Sequence, residues 1–197
     1  MKKTISFVRT FIPADLFKKE YALGGLTIYH LNEQLNAEMN AYECWECSVR
    51  SGEYTQDEVM AAFEEFKAKL AASELATTKA QKIAEIEAYD TSSAVNGFIL
   101  NGQRVWLDFE LRDRVYQGNE RLQRIGRTDT TLWLGKQCYN LSIEQAQNII
   151  SHIEAYAKDC YNVTAAHKKA VSELTDIAEV LTYDYTAGYP AQLKMEV

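Results

Sequence analysis

Two cysteines, Cys44 and Cys47, have a spacing that could do chemistry. A Cys-x-x-Cys pair serves in thiol–disulfide exchange when it opens a helix after a strand, and it supplies half of a zinc site when a second close pair of ligands exists. Glu43 and Glu46 lie beside these thiols, and a nearby carboxylate raises a thiol pKa, which opposes thiolate chemistry. The nearest histidine in the sequence is His30. We therefore interpret the pair as structural and keep a metal- or thiol-containing protein that uses Cys44 and Cys47 as an alternative.

The other two histidines, His152 and His167, fall on consecutive predicted helices, and Cys160 lies in the loop expected between them. Brought together, these side chains would offer a metal only three ligands, with Asp159 as the one nearby carboxylate. The simpler interpretation is that His167 lies in the first turn of its helix and hydrogen-bonds the loop. The sequence therefore predicts no metal site and no cofactor.

Catalytic motifs are absent from the sequence. It contains no G-x-S-x-G nucleophile elbow, no phosphate-binding P-loop, no dinucleotide glycine fingerprint and no H-E-x-x-H zinc motif. The chain has 28 aspartates and glutamates, so some carboxylates will lie close together, but a catalytic pair needs a defined separation. We predict a protein that is not an enzyme and has no catalytic residues.

The charge of the chain limits its partners. A net charge of −7 and a pI of about 5.1 repel nucleic-acid phosphate, so we expect no nucleic-acid partner. No stretch approaches the length of a membrane span, and no signal-peptide core follows the first lysines, so we expect no membrane partner and no export by a cleaved signal. Five arginines interleaved with Asp113 and Glu120 are typical of a solvated helix face. These arginines are Arg112, Arg114, Arg121, Arg124 and Arg127.

Tyrosine is the most informative residue type in the chain. There are twelve tyrosines, and Tyr183, Tyr185 and Tyr189 come together in the segment YDYTAGYP near the end. A tyrosine ring combines an apolar body with a polar tip, which suits protein interfaces. We predict an interaction surface at Tyr183, Tyr185, Tyr189 and Trp45. The alternative is that this segment packs back over its own sheet and fixes the last helix.

The first part of the chain has the pattern of a strand-rich region. Residues 4–12, 26–31 and 41–50 are rich in β-branched and aromatic residues and are predicted strands. Thr55 and Glu58 then have the spacing of a helix capping box, and apolar residues at helical spacing follow. We predict one helix that begins after Thr55.

A domain boundary is predicted near residue 75. The first helix is expected to end at about residue 71, where the sequence becomes rich in Ala, Ser and Thr and loses its apolar stripe. This stretch is either a linker or the middle of one long helix, since a helical pattern resumes and ends near residue 90. The chain is thus divided into an N-terminal α+β region, residues 1–75, and a second domain, residues 76–197.

The second domain contains a β-hairpin signal followed by a helix. Apolar residues 98–100 and 105–107 flank Asn101-Gly102, and Asn-Gly is the strongest short-range indication of a two-residue hairpin turn. Asp108 then occupies a helix N-cap position. We predict a hairpin and a helix that ends at about residue 122.

The same arrangement is then repeated. Residues 132–134 and 138–139 flank a predicted turn at Gly135-Lys136, and Ser142 begins a second helix with Gln145 three residues later. Each hairpin and each helix has one apolar face, and neither unit can bury both faces alone. We therefore predict an α+β fold in which two hairpin–helix units form one four-stranded antiparallel sheet with helices on one face.

A final helix is predicted from about residue 164 to residue 181, because its apolar residues recur at helical spacing. We expect Trp106, Trp133, Ile150 and Leu174 in the core.

Six segments carry a resemblance to a known family. They are EAYDTSSAVNGFILNG, RVWLDFELR, TTLWLG, EAYA at 154–157, CYNVTAAH at 160–167 and YDYTAGYP at 183–190. Through these segments, residues 83–193 resemble a family of uncharacterised phage and prophage domains that is common in the genomes of gut Bacteroidales and their viruses. Genes of this family often lie beside tail-fibre genes.

The resemblance implies a role in the phage particle or in its assembly, and it implies no activity. The expected function is that of a non-enzymatic phage structural protein, associated with the virion or the tail. It would bind other phage structural proteins and form a homo-oligomer. The alternative is a tail-fibre assembly chaperone. Either protein would be made in the cytoplasm of the bacterial host, and a structural component would then enter the virion.

Overall fold

The computed structural model describes residues 5–134 and 136–197. The chain divides into two compact units, Met1–Glu74 and Leu75–Val197, here called the N-terminal unit and the C-terminal unit. Both contain strands and helices, so the predicted α+β class is confirmed. None of the described helices is both long and apolar enough to cross a membrane.

The N-terminal unit contains a four-stranded antiparallel sheet with the strand order β1-β4-β3-β2. Three of its strands lie at the predicted positions, although residue 4 of the first predicted strand lies outside the described residues. The second strand was missed, and it pairs with the third through a turn at Gly24 and Gly25, both at positive φ. The strands are β1 (Val8–Pro13), β2 (Glu20–Leu23), β3 (Leu26–Asn36) and β4 (Ala41–Arg50).

Helix α1 (Gln56–Asp90) runs without a break through the Ala-, Ser- and Thr-rich stretch, so this stretch is not a linker. It contains no glycine or proline, and alanine is the best helix former. The predicted capping box is present: the Glu58 N–H donates to Thr55 Oγ1 at 3.3 Å, and the Thr55 N–H donates to Glu58 Oε2 at 2.7 Å. The division between the two units falls inside this helix.

The C-terminal unit contains two hairpins, each followed by a helix. The first hairpin turns at Asn101 and Gly102, which have the positive φ values of 48° and 75° that the sequence predicts. Asp108 and Ser142 cap the helices as predicted, and Gln145 completes a capping box with Ser142. The predicted turn residue Gly135 lies outside the described residues. The elements are β5 (Phe98–Leu100), β6 (Gln103–Val105), α2 (Phe109–Arg124), β7 (Asp129–Leu134), β8 (Gln137–Ser142) and α3 (Ile143–Glu173).

The two hairpins do not form one four-stranded sheet, so that prediction is wrong. The strand β9 (Lys194–Met195) pairs in parallel with β5, which gives the order β6-β5-β9, while β7 and β8 pair only with each other among the described strands. The N–H of Ile99 donates to the carbonyl of Leu193 at 2.8 Å. The residues of β9 thus occupy the edge of β5 that lies opposite β6.

The hairpins share one hydrophobic core instead of one sheet. Apolar side chains from both hairpins pack against the same face of α3, which explains why each strand has an apolar side although the strands are not joined. The buried members of this core are Phe98, Leu100, Leu107, Leu132, Leu134, Leu141, Ala146, Ile149, Ile150 and Ile153.

The predicted break at Cys160 and the predicted final helix from residue 164 are also wrong. Helix α3 continues through Cys160, which is buried, because its apolar face persists and no helix breaker interrupts it. The chain breaks later, and α4 (Ile177–Thr182) begins after its N-cap Asp176. His152 and His167 therefore lie on one helix, about 22 Å apart along its axis at 1.5 Å per residue, and cannot share a metal ion.

Of the four residues expected in the core, Ile150 is buried, and Trp106 and Leu174 are partly buried against core clusters. Trp133 is not in the core, since 62% of its surface is exposed. It lies between Leu132 and Leu134, which point inward, and alternate residues of a strand point to opposite faces.

Candidate interaction surfaces

The tyrosines of the terminal segment, residues 183–190, pack against helices of their own unit. The Tyr183 hydroxyl lies 2.8 Å from Nδ1 of His167, and Nε2 of His167 lies 2.9 Å from the carbonyl oxygen of Ala187. A carbonyl only accepts, so Nε2 donates to it. In the tautomer that carries its proton on Nε2, the ring accepts the Tyr183 O–H at Nδ1. Tyr185 and Tyr189 both make edge-on contacts with the ring of Tyr89.

A chain of hydroxyl groups fixes Tyr189. The buried Thr164 hydroxyl lies 2.7 Å from Oδ1 of Asp90, to which it donates, and 2.8 Å from the hydroxyl of Tyr189. Because the Thr164 proton is used on Asp90, the Tyr189 O–H donates to Thr164. Burial raises the pKa of Tyr189, and the Asp90 charge adds to this effect. The alternative prediction, a segment that folds back, therefore describes these contacts, although the segment packs on α1 and α3 and not on a sheet.

A pocket of about 480 Å³ adjoins this series of hydroxyl groups. Lys168 and Glu87 form an ion pair in it, and this pairing raises the pKa of Lys168. The Tyr161 ring, 67% exposed, lines the same pocket. The pocket and the hydrogen-bonded hydroxyl groups beside it bring together residues of EAYD, CYNVTAAH and YDYTAGYP, which are distant in sequence. Whether the three terminal tyrosines also contact a partner stays a prediction.

Trp45, the fourth predicted interaction residue, belongs to the N-terminal unit. It lies on β4 and is half-buried, with its ring edge-on to Phe66 at a centroid distance of 4.9 Å. Phe66 also contacts Phe7 and Phe63. The ring of Trp45 is thus used in the packing of α1 against the sheet, and only its exposed part remains for a partner.

Cys44 and Cys47 lie on opposite faces of the continuous strand β4, because they are three residues apart and side chains alternate. Cys47 packs with Val59 of α1 on one face, and Cys44 is buried on the other. Burial, and next the charge of Glu46, raises the pKa of both thiols. Two thiols on opposite faces cannot bind one metal ion or form a disulfide with each other, so this geometry gives the thiol alternative no support.

His30 is held on the Cys44 face of the same sheet. Its ring nitrogens lie 2.5 Å from the Lys18 carbonyl oxygen and 3.2 Å from a Glu46 carboxylate oxygen, and Phe17 stacks on the ring. Both nitrogens are therefore occupied by oxygen partners. Among the described residues no cluster of three or more histidine, cysteine and acidic side chains could hold a metal ion.

The hairpin β7–β8 presents an exposed face that the sequence prediction missed. Trp133 is opposite Cys138 in the register, and both side chains are exposed. The next pair on this face is Thr131 and Asn140, whose side chains hydrogen-bond at 3.3 Å. No other described strand pairs with either outer edge of this hairpin. The alternation Leu-Trp-Leu was the signal that could have placed Trp133 outside.

Arg112 also departs from its predicted place on a solvated helix face. It is only 6% exposed, while Arg114 and Arg124 of the same helix are exposed as predicted. Its Nε donates to Oε2 of Glu154 at 2.6 Å, and its guanidinium carbon lies 5.5 Å from the centre of the Trp106 ring. No pattern in the sequence distinguishes Arg112 from its neighbours, because its partner is on another helix.

Comparisons with known proteins add no relative, since no protein-family model, no curated protein and no solved structure matches this chain.

Proposed function

We propose that this chain is a non-enzymatic phage structural protein, associated with the virion or the tail, that works through contacts with other phage structural proteins. The observation that carries the proposal is the exposed face of the β7–β8 hairpin, with Trp133 at its centre. Tryptophan is strongly enriched among the residues that dominate binding energy at protein interfaces. The phage setting is supported by the resemblance of residues 83–193.

The hairpin supplies two kinds of contact for a protein partner. The Trp133 ring can enter a pocket, and Thr131 and Asn140 provide a polar rim around it. The outer edges of β7 and β8, which pair with no other described strand, can accept an added strand. A second copy of the chain can use the same face around a two-fold axis, so the proposal includes a homo-oligomer. The two hairpin–helix segments share one hydrophobic core, which supports the proposal that they fold together as one domain.

The first test is proteomics of purified phage particles, quantified against the major capsid protein. We expect the wild-type chain at a fixed copy number per particle. Trp133→Ala should weaken this association by about tenfold, the effect of losing one interface anchor worth ~1.4 kcal/mol, and so lower the copy number. The matched control is Ile125→Ala, which removes an exposed apolar side chain outside the hairpin. Absence of the wild-type chain from particles would contradict the virion proposal.

A tail-fibre assembly chaperone is the second candidate. It is favoured by the same hairpin edges, because an unpaired edge can hold a strand of an unfinished fibre and release it later. Co-expression with the fibre protein tests it. We expect more folded, protease-resistant fibre with the wild-type chain than with Trp133→Ala. A fibre that folds equally well without the chain would rule out the chaperone.

A further inference from the structure

A pocket of about 410 Å³ lies between α2 and α3 in the C-terminal unit. Apolar groups dominate its walls, and four charged side chains line it as well, which is the usual composition of a site for a small ligand. The apolar part consists of Phe109, Tyr116, Ile150 and Ala155, and the charged side chains are Arg112, Asp113, Glu154 and Lys158.

Arg112 lines this pocket with a guanidinium group whose N–H donors are not all hydrogen-bonded. A guanidinium has five N–H donors. Nε donates to Glu154 at 2.6 Å and Nη1 donates to the Leu107 carbonyl at 2.5 Å, whereas Nη2 donates to none of the described residues. Among the described residues, Nη2 is not one of the polar atoms that are both completely buried and without a hydrogen-bond partner. It therefore keeps some exposed surface. Because Arg112 lines the pocket, Nη2 is the donor that we assign to a ligand in it.

The guanidinium is held before any ligand arrives. The side chain of Arg112 is 7% exposed, and its guanidinium carbon lies 5.5 Å from the Trp106 ring centre and 6.0 Å from that of Phe109. Glu154 and the Leu107 carbonyl fix its direction. A donor that is already fixed loses little conformational entropy on binding, so it binds an anion more tightly than a mobile surface cation does.

Lys158 adds a second cation at the same pocket. Its side chain is exposed and forms no ion pair with the described residues, and it lies on α3 one turn after Glu154. The carboxylates of Glu154 and Asp113 also line the pocket and would repel a dianion such as phosphate. A single negative charge on a planar group fits this arrangement better, because guanidinium matches the geometry of a carboxylate.

We propose that this pocket binds an apolar carboxylate. The carboxylate accepts hydrogen bonds from Nη2 of Arg112 and Nζ of Lys158, and the apolar body lies against Phe109, Tyr116 and Ile150. Two sources carry this chemistry, a free aliphatic carboxylate and the C-terminal carboxylate of a polypeptide with apolar last residues. The site goes beyond the proposed structural role and does not depend on it.

An NMR titration of the whole chain tests the site with four probes: octanoate, octanamide, N-acetyl-Leu-Phe and its C-terminal amide. The signals to follow are the Arg112 Nε–H and the Trp106 indole N–H. We expect saturable shifts with the two carboxylates, with dissociation constants on the order of 0.1–1 mM, and binding at least about tenfold weaker for the two amides. The tighter of the two carboxylates identifies the source. No saturation by either carboxylate, or equal binding of an amide, would overturn the proposal.

Variants separate recognition of charge from apolar contact. Lys158→Gln changes an exposed side chain, so it should fold normally and weaken octanoate binding about three- to tenfold. Asp113→Asn should strengthen it, because a repelling charge is removed. Arg112→Lys should abolish the binding, since lysine lacks the fixed fork. Lys169→Gln, on an exposed part of the same helix, is the matched control and should bind like the wild type. Unchanged binding in folded Lys158→Gln and Arg112→Lys would reject the site.

Discussion

The two hairpins of the C-terminal unit have the same local plan and different surroundings. Each is a short antiparallel pair followed by a capped helix, and each carries one tryptophan. Trp106, next to β6, is partly buried beneath Arg112 and contacts two core clusters. Trp133, in β7, is 62% exposed. The same residue type thus supports the fold in one hairpin and forms a surface in the other.

The difference arises from distant parts of the chain. The first hairpin is extended by β9, whose residues come about ninety positions later, and Tyr156 and Leu193 pack near it. The second hairpin receives no further described strand. Local sequence therefore determines that a hairpin forms, and non-local contacts determine which of its faces and edges remain open. The exposed face of the second hairpin is where the proposed partner would bind, and such binding would leave the core intact.

The largest expected effect on stability comes from truncating side chains in the core that the two hairpins share. Leu100→Ala and Leu134→Ala each remove a side chain that is at most 1% exposed in the shared core, so each should lower the free energy of unfolding by about 2–5 kcal/mol. Urea unfolding followed by circular dichroism measures both. The control Thr131→Ala, on the exposed face, should cost at most about 0.5 kcal/mol. A small effect of Leu134→Ala alone would show that the second hairpin lies outside the core.

The next effect concerns the strand that only the first hairpin has. Deletion of residues 194–197 removes the hydrogen bond from the Asn101 N–H to the Met195 carbonyl at 3.0 Å and two hydrogen bonds between the Asn101 side chain and Val197. The loss should be about 1–3 kcal/mol of unfolding free energy. Lys194→Ala, which changes an exposed side chain and keeps the backbone pairing, is the control. An unchanged unfolding midpoint after the deletion would mean that β9 does not stabilise the first hairpin.

Alkaline pH should lower the stability of the C-terminal unit through Tyr156, which packs near the first hairpin. Its hydroxyl donates to the Val95 carbonyl, and burial raises its pKa to about 12 from the ordinary 10. Above pH 10 the unfolded chain loses this proton while the folded chain keeps it. The unfolded state is then favoured, and stability falls between about pH 10 and 12. Tyr156→Phe should show a shallower fall in melting temperature over this range. Tyr161→Phe, at an exposed position, should follow the wild type, and an equal slope in all three proteins would contradict the prediction.

Local signals in the sequence predicted much of the fold. Capping residues, the Asn-Gly turn and helical spacing placed both hairpins and the starts of their helices, because these features depend on neighbouring residues. The pairing of β9 with β5 could not be predicted in this way, since a two-residue strand has almost no pattern of its own. The burial of Arg112 depends on Glu154 of another helix. The exposure of Trp133 follows from strand alternation between the buried Leu132 and Leu134, whereas hydrophobicity alone would place the ring in the core.

The smallest expected effect on stability is that of Trp133→Ala. In the monomer this exposed side chain contributes little to folding, so at low protein concentration the free energy of unfolding should change by at most about 0.5 kcal/mol. Trp106→Ala should cost considerably more, because it removes contacts with the core and with Arg112. Thermal unfolding of both variants at two protein concentrations makes the measurement. A cost above about 2 kcal/mol for Trp133→Ala that disappears on dilution would show that the ring is buried between copies of the chain, whereas the same cost at every concentration would place Trp133 in the core of the monomer and remove the contrast between the hairpins.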